Sequence, residues 1–178
     1  MQLSQIAILS LFGLALSKPL EEKRSASDIE GDIATLSSGL SAFNDAVKAF
    51  AGSISNDQAN DFMAAYLGMQ TFISQATSDI NSAGSLSNSD SDSIHSAADS
   101  LTTQVVDTLN NILTKQSVVE SSGYVSQVCG GLSTFNTQTD GFYQALENSI
   151  DSAFTSDVTD LQTTVDKSFT ATVKKYGC

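Results

Sequence analysis

The sequence is poor in the residues that several protein classes require. Its 178 residues include no Trp, one Pro, one His and two Cys, and 8 are Lys or Arg. Two Cys and one His cannot build a zinc-finger framework, and a single Pro excludes a Pro-rich linker or a mucin stalk. Because nucleic-acid binding needs clustered Lys and Arg, the shortage of basic residues excludes a nucleic-acid partner.

Acidic and uncharged polar residues are what the sequence has in quantity. Asp and Glu number 20, which gives a net charge of −12, although charged residues make up 16% of the chain. Ser and Thr together number 45. The length suits one domain that buries most of its apolar surface. We therefore expect one acidic globular domain with an uncharged polar surface.

The N-terminus reads as a secretory signal peptide over residues 1–17, MQLSQIAILSLFGLALS. Its apolar run, Ile6–Leu16, is too short to cross a bilayer comfortably. Ala15 and Ser17 are small residues two positions apart, which favours cleavage after Ser17. A core helix is the alternative reading of this segment.

Residues 18–24, KPLEEKR, end in a dibasic pair, Lys23 and Arg24. This pattern predicts a pro-segment cleaved after Arg24, with a charged N-terminal tail as the alternative. Cleavage would leave a mature domain of residues 25–178 and change the net charge from −12 to −13. No later apolar run is long enough for a transmembrane segment, and VKKYGC at the C-terminus lacks a GPI-type tail. We expect a protein that is secreted into the extracellular space, with cell-wall association left open.

The rest of the chain carries apolar residues at alternating intervals of three and four, which is typical of amphipathic helices. The five apolar seams are Ile29, Ile33, Leu36, Leu40, Phe43, Val47, Phe50; Ala59, Phe62, Tyr66, Met69, Ile73, Ala76, Ile80; Ile94, Ala98, Leu101, Val105, Leu109, Ile112; Val125, Val128, Leu132, Phe135, Thr139, Phe142, Leu146, Ile150; and Val158, Leu161, Val165, Phe169, Val173, Tyr176. None of these segments alternates like a strand. The predicted fold is an all-α bundle of about five amphipathic antiparallel helices joined by short connections.

Polar residues before the seams predict where the helices begin. Ser27 with Glu30 has the spacing of a capping box. Asn56 or Asp57 is expected to cap the second helix, and residues 89–92 the third. The fifth helix is expected to begin near Ser156.

The two cysteines are Cys129, in the fourth predicted helix, and Cys178, the last residue of the sequence. In a secreted protein they are expected to form a disulfide that ties the end of the fifth helix to the fourth. Two free thiols or an intermolecular bond are the alternatives.

We find no arrangement of residues that predicts catalysis. His95 has Asp92 and Asp99 at helical spacing, but no Ser near it is distinguished as a nucleophile, and a solvated surface His explains it. The acidic pairs lack the ligand spacing of a Ca²⁺ loop and stand at helix starts, where acids cap. We predict a protein without enzymatic activity, metal or cofactor.

The apolar seams permit either plain core packing or a ligand held between helices. In the fourth helix, Gly130, Gly131, Gly141 and Thr139 stand where the seam has room for larger side chains, so they either leave a cavity or let helices approach closely. Gly141 is expected to border such a cavity. The candidate ligand-binding residues are the large or central seam positions: Phe43, Val47, Phe50, Phe62, Tyr66, Met69, Ile73, Leu101, Val105, Phe135, Thr139, Phe142, Val165 and Phe169.

A fatty-acid carboxylate would need a hydrogen-bond donor. The residues after the dibasic pair offer five cations and several neutral donors, among which the sequence does not choose: Lys48, Lys115, Lys167, Lys174, Lys175, Tyr66, Gln70, Gln138 and Tyr143.

The segment DIATLSSGLSAFNDAVKAFAG (residues 32–52), the long amphipathic helices after it and the signal peptide before an acidic, Ser/Thr-rich chain resemble the fungal hydrophobic surface-binding protein A and cell wall galactomannoprotein family. The resemblance covers residues 25–178. It implies a secreted protein that adsorbs to hydrophobic surfaces and can recruit secreted hydrolases, and some members resemble helical carriers of a fatty acid. It implies no catalytic residue.

The residues and the resemblance together predict a non-enzymatic protein that binds a fatty acid or other lipid between its helices, or a hydrophobic solid surface. A structural, O-glycosylated cell-wall antigen without a ligand is the alternative.

Overall fold

The computed structural model describes residues 24–178, which form six α-helices and no strand. The helices are α1 (Ala26–Lys48), α2 (Asn56–Ala83), α3 (Asn88–Thr114), α4 (Gln116–Ser121), α5 (Val125–Ser149) and α6 (Thr155–Tyr176). The predicted all-α bundle is confirmed, and the short α4 is added to the five long helices. The predicted signal peptide with Ser17, and the pro-segment as far as Lys23, lie outside the described residues.

The five long helices form a closed ring in the order α1, α2, α5, α6, α3, with α3 returning to α1. The short α4 follows α3 at one end of the ring. Within residues 24–178, no helix has the length and continuous apolarity needed to cross a membrane.

Helices that follow each other along the chain run in opposite directions, as the short connections predict. Several neighbours in the ring are nevertheless parallel. Ser37 donates to Gln104 and Asn111 donates to Asn44, both at 2.9 Å, so residue numbers rise together along α1 and α3. Contacts of Tyr66 with Gly131 and of Ser74 with Gln138 show in the same way that α2 and α5 are parallel. Contacts of His95 with Phe154 and of Ile112 with Tyr176 show that α3 and α6 are parallel. The reason is the ring order, which places helices side by side that are not consecutive.

The helix starts differ from the predicted caps by one or two residues. Ser25, with Asp28, forms the capping box of α1, so the predicted box at Ser27 is wrong. Ser55 caps α2 and Ser87 caps α3, each just before the predicted positions. Hydroxyl and acidic residues recur at neighbouring positions before each helix, so the sequence permits several registers.

The seam residues form the core. All seven of the α1 seam and all six of the α3 seam are buried, and the aromatic rings of α1, α2 and α5 pack against each other at centroid distances of 5.1 to 6.3 Å. This burial is the main stabilisation of a bundle whose isolated helices would be marginal.

The predicted disulfide is confirmed. Cys129 in α5 is bonded to Cys178, which follows α6, with the two Cα atoms 5.6 Å apart. The bond joins α5 and α6 at the end of the ring that also holds α4 and the connection from α1 to α2. We call this the disulfide end.

At the opposite end, Arg24 lies against α2. Its Nε donates to Asp79 Oδ1 at 3.0 Å, and Gln75 donates to the other oxygen of the same carboxylate at 2.7 Å. The hydrogen bond from Gln75, more than the nearby guanidinium of Arg24, holds the pKa of Asp79 below its usual value. Cleavage after Arg24, which stays a prediction, would remove the cationic partner of this buried acid.

Candidate ligand-binding cavity

The seam is incompletely buried at the disulfide end of three helices, since Val173 near the end of α6 is also half-buried. In α2 the seam positions that stay half-buried are Ala59 and Phe62, and in α5 they are Val125 and Val128. Both pairs belong to the first turns of their helices. Because α2 and α5 are parallel neighbours, the four positions lie at the same end of the bundle, and Phe62 and Val128 border a space that the side chains do not fill.

That space is a cavity of about 440 Å³ at the disulfide end. Ligand pockets for small molecules range from roughly 300 to 1,000 Å³. The lining is mostly apolar and comes from every helix of the ring and from α4: Phe43, Val47, Phe50, Phe62, Met63, Tyr66, Gln70, Ile112, Lys115, Val119, Gln127, Val128, Gly130, Gly131, Leu132, Thr134, Phe135 and Tyr176. A smaller apolar space of about 130 Å³ adjoins it beside Tyr124 and Ile54.

The structure divides the fourteen predicted ligand-binding residues into three groups. Six line the cavity: Phe43, Val47, Phe50, Phe62, Tyr66 and Phe135. Six more surround a second, much smaller space of about 10 Å³ deeper in the bundle: Met69, Ile73, Leu101, Val105, Thr139 and Phe142. Val165 and Phe169 line neither space. Contact with a ligand stays a prediction for all of them.

Phe135 lines both spaces and therefore stands between them. Its ring is 2% exposed, lies 6.3 Å from that of Phe43 and packs edge-on against Phe169 at 5.0 Å. Edge-to-face pairs at such distances are favourable contacts. Phe135 thus closes the inner end of the large cavity.

The mouth of the cavity lies between α2 and α5. Four of the lining residues are exposed, and all of them come from these two helices: Met63, Gln127, Gly130 and Thr134. Just inside, Tyr66 of α2 donates its hydroxyl to the carbonyl oxygen of Gly131 in α5 at 2.9 Å. A chain-like molecule would enter past this hydrogen bond.

The glycines of α5 have different roles. A Cβ on Gly131 would make an ordinary contact with the Tyr66 ring at 3.6 Å, so the approach of α2 does not require glycine there. Gly130 lines the mouth and has open space around its Cα. Gly141 also faces open space but does not border a cavity, so its predicted place at the cavity is wrong. The spacing of the glycines along α5 does not reveal which of them border a cavity.

One cation lines the cavity. Lys115 donates from Nζ to the backbone carbonyl oxygens of Lys48 at 2.9 Å and Phe50 at 2.7 Å, where α1 ends. A lysine at a helix C-terminus is stabilised by the helix dipole. An ammonium has three donors, so one remains after these two bonds. Lys48, Lys167, Lys174 and Lys175 do not line the cavity.

The neutral donors are also separated by the fold. Tyr66 and Gln70 line the cavity, whereas Gln138 lies in a shallow groove outside it and Tyr143 is buried against Thr102. Burial raises the pKa of Tyr66. Burial, with the nearby charge of Glu120, raises the pKa of Tyr176 to about 12. Both lining tyrosines are therefore neutral at physiological pH, and each already donates its hydroxyl to a backbone carbonyl, Tyr66 to Gly131 and Tyr176 to Ile112 at 2.8 Å.

Some lining residues were not selected from the sequence. Ile112, Val128, Leu132 and Tyr176 were seam positions like many others. Met63 and Val119 were apolar residues outside the regular seam spacing, and Gln127 and Thr134 carried no signal. Only the ring order shows that they meet.

The described residues offer no group of three His, Cys, Asp or Glu side chains that could hold a metal ion. His95 is half-buried on α3 with its ring 5.7 Å from that of Phe154, away from the cavity. The arrangement can enclose an apolar molecule and hydrogen-bond its polar end.

The chain is similar to known proteins in both sequence and fold. The family model described as hydrophobic surface binding protein A matches residues 26–148, more than two thirds of the sequence. No curated protein matches the chain.

Among solved structures, AFMP4P in complex with palmitic acid has a TM-score of 0.82 at 24% identity, and the match covers 85% of this chain and 99% of that one. Ligand binding domain 1 of Penicillium marneffei MP1 protein, complexed with arachidonic acids, has a TM-score of 0.78 at 12% identity, covering 85% and 99%. Ligand binding domain 2 of the same protein, complexed with multiple arachidonic acids, has the same score and identity, covering 87% and 97%. At these identities the likeness establishes the fold.

Proposed function

Because this chain belongs to the hydrophobic surface binding protein A family, we propose that it is a secreted, non-enzymatic protein that holds a fatty acid or similar lipid between its helices. The observation that carries this proposal is the apolar cavity of about 440 Å³ with its mouth between α2 and α5. Three structures of similar fold contain palmitic or arachidonic acid, which supports a fatty acid as the ligand class.

Hydrophobic burial would supply most of the affinity. Each buried methylene contributes about 0.8 kcal/mol, so the binding free energy of an extended acyl chain becomes more favourable with every methylene that enters the cavity. The aromatic walls formed by Phe43, Phe50, Phe62 and Phe135 give such a chain a continuous apolar contact. The Tyr66–Gly131 hydrogen bond at the mouth would have to break if α2 and α5 moved apart to admit the chain.

Lys115 is the residue that would hold the carboxylate. It is the cation that lines the cavity. Two of its three ammonium hydrogens are donated to the carbonyls of Lys48 and Phe50, so the third can be donated to a ligand. A hydrogen bond that joins two charges contributes more than a neutral one. The side-chain amides of Gln70 and Gln127 also line the cavity. They are the alternative donors for a carboxylate that stays near the mouth rather than reaching Lys115.

We expect Lys115→Met to weaken palmitate binding about tenfold, because a charge-assisted hydrogen bond is lost. Hexadecanol, which has no charge, should bind with unchanged affinity. Titration calorimetry with both ligands measures the difference. Lys48→Met is the matched control, since Lys48 is an exposed cation outside the cavity. Equal losses for palmitate and hexadecanol would assign Lys115 to helix capping alone.

Gly130→Trp tests the cavity itself. The indole should fill the mouth and weaken palmitate binding by about tenfold or more, because it occupies the volume through which the acyl chain enters. Native mass spectrometry of the secreted protein, followed by palmitate titration of the delipidated protein, measures this.

Gly141→Trp is the control for that experiment. Gly141 is on the same helix, also has open space and does not border the cavity, so palmitate should bind this variant normally. If wild-type protein carries no lipid and does not take up palmitate after delipidation, the carrier function is wrong and the ligand-free structural antigen is favoured.

The remaining parts of the proposal concern location and partners. The signal peptide and dibasic site predict secretion, and the family resemblance adds adsorption to a hydrophobic solid surface, recruitment of secreted hydrolases and association with the cell wall as a galactomannoprotein. Fractionating a culture into medium and wall, with detection of the N-terminal residue, would show where the protein resides and whether Arg24 has been removed.

A further inference from the structure

Two helices of this acidic chain carry long stretches without charge. Residues 62–78 of α2 contain no Asp, Glu, Lys or Arg, and neither do residues 125–139 of α5. Acidic residues bracket the α2 stretch at Asp61 and Asp79. The chain as a whole has a net charge of −12.

The two uncharged stretches lie side by side. Tyr66 is bonded to Gly131, and the Gln138 side chain is 3.4 Å from the Ser74 hydroxyl, so the stretches run together along the ring. Their outward residues form what we call the uncharged face: Met63, Ala64, Leu67, Thr71, Ser74, Gln75 and Ser78 from α2, and Ser126, Gln127, Gly130, Ser133, Thr134 and Thr137 from α5.

The most exposed large apolar side chains of the described residues also belong to this face. Met63 is 46% exposed and Leu67 is 54% exposed. They are one helical turn apart on α2, and Met63 borders the cavity mouth. Single exposed apolar residues are ordinary, but two together beside an apolar opening mark an interaction surface.

The distribution of charge selects the partner. The other long helices carry charges along their length: α1 has four acids and one lysine, α3 has four acids, and α6 has three acids and three lysines. With its net charge of −12, the chain as a whole is repelled by anionic surfaces. When this face meets an apolar or neutral surface no charge loses its hydration, which is the largest cost that a charged face would incur. A face that surrounds a cavity mouth places the opening directly on whatever it contacts.

We propose that the uncharged face docks on a neutral lipid surface, with the cavity mouth turned toward the lipid. The proposal rests on the lipid-carrier function, which it extends: an acyl chain would pass between the lipid surface and the cavity without crossing water. Met63 and Leu67 would insert into the surface, while the charged helices α1, α3 and α6 stay in solution.

Flotation of the protein with vesicles of phosphatidylcholine, alone or mixed with phosphatidylglycerol, tests this. We expect binding to the neutral vesicles and weaker binding to the anionic ones at low salt. Leu67→Asp should weaken neutral-vesicle binding about tenfold, because an inserted leucine is lost and a charge is added. Ser133→Asp, which adds the same charge on α5 without removing an apolar contact, should weaken it several-fold.

The matched control is Asn110→Asp, which adds the same charge at an exposed position of α3. It should bind neutral vesicles as wild type does. Leu67 and Ser133 do not line the cavity, so palmitate added in solution should bind both face variants normally.

The outcomes separate docking from ligand binding. If all three variants bind neutral vesicles equally, or wild type does not bind them while taking up palmitate from solution, the docking face is wrong and the carrier function stands. Vesicle binding that depends on the face, without palmitate uptake, would support docking and overturn the carrier function. If wild type is a dimer that Leu67→Asp dissociates, a second copy of the chain covers the face and lipid docking is wrong.

Discussion

Replacing Cys129 and Cys178 with serine should lower the free energy of unfolding by about 4 kcal/mol. The bond joins residues separated by 49 positions, and closing a loop of that length restricts the unfolded chain by roughly this amount in the chain-entropy model. For a domain of this size, the melting temperature should fall by roughly 10 °C. Chemical denaturation of the double variant and of oxidised wild type measures the difference.

Ligand binding gives this variant a second readout. Cys129 lies between two cavity-lining residues, Val128 and Gly130, so loosening the α5–α6 connection should also weaken palmitate binding. Wild-type protein treated with reductant is the control, because it should reproduce the variant in both measurements. A loss of less than about 1 kcal/mol would mean that the packing of α6 alone holds the disulfide end.

Phe135→Ala should have the largest effect on which ligands fit. Removing the ring joins the large cavity to the small space around Met69 and Phe142. Burying a phenylalanine in a packed core is worth about 3–5 kcal/mol relative to alanine, so the unliganded variant should be less stable by that amount. The longer cavity should move the preferred saturated fatty acid to a longer chain, measured by displacement of a fluorescent acid.

Leu109→Ala is the control for stability loss alone. Leu109 is fully buried in α3 and lines neither space. It should cost about 2–5 kcal/mol without changing the preferred chain length. An identical preference in Phe135→Ala, Leu109→Ala and wild type would show that Phe135 does not limit the ligand. Because ligand binding to the folded state raises stability, long acids should also restore the melting temperature of Phe135→Ala.

The sequence predicted the helical class, the disulfide and the family because none of them depends on how the helices are arranged around each other. The heptad seam of α1 identifies its buried face without reference to any neighbour, and all seven of its residues are buried. Cys129 with Cys178 is the one intramolecular pairing that two cysteines allow. The helix starts were less certain, since Ser25, Ser55 and Ser87 each stand near other residues that cap equally well.

The candidate site was only partly predictable. Phe43, Phe50 and Phe62 were selected as large seam residues, and they line the cavity because their turns lie at the disulfide end. Phe169 was selected by the same reasoning and packs behind Phe135 instead. Lys115 was one of five equivalent lysines until the end of α1 was placed beside it.

The sequence by itself determined that this chain forms amphipathic helices, that one face of each is apolar, and that residues 62–78 and 125–139 carry no charge in an acidic chain. Only the tertiary structure decided the order of the ring, its parallel neighbours, the cavity at the disulfide end and the mouth between α2 and α5. The physical reason is that periodicity reports which side of a helix avoids water. A cavity is a shortage of side-chain volume among several helices at once, and no single helix contains that information.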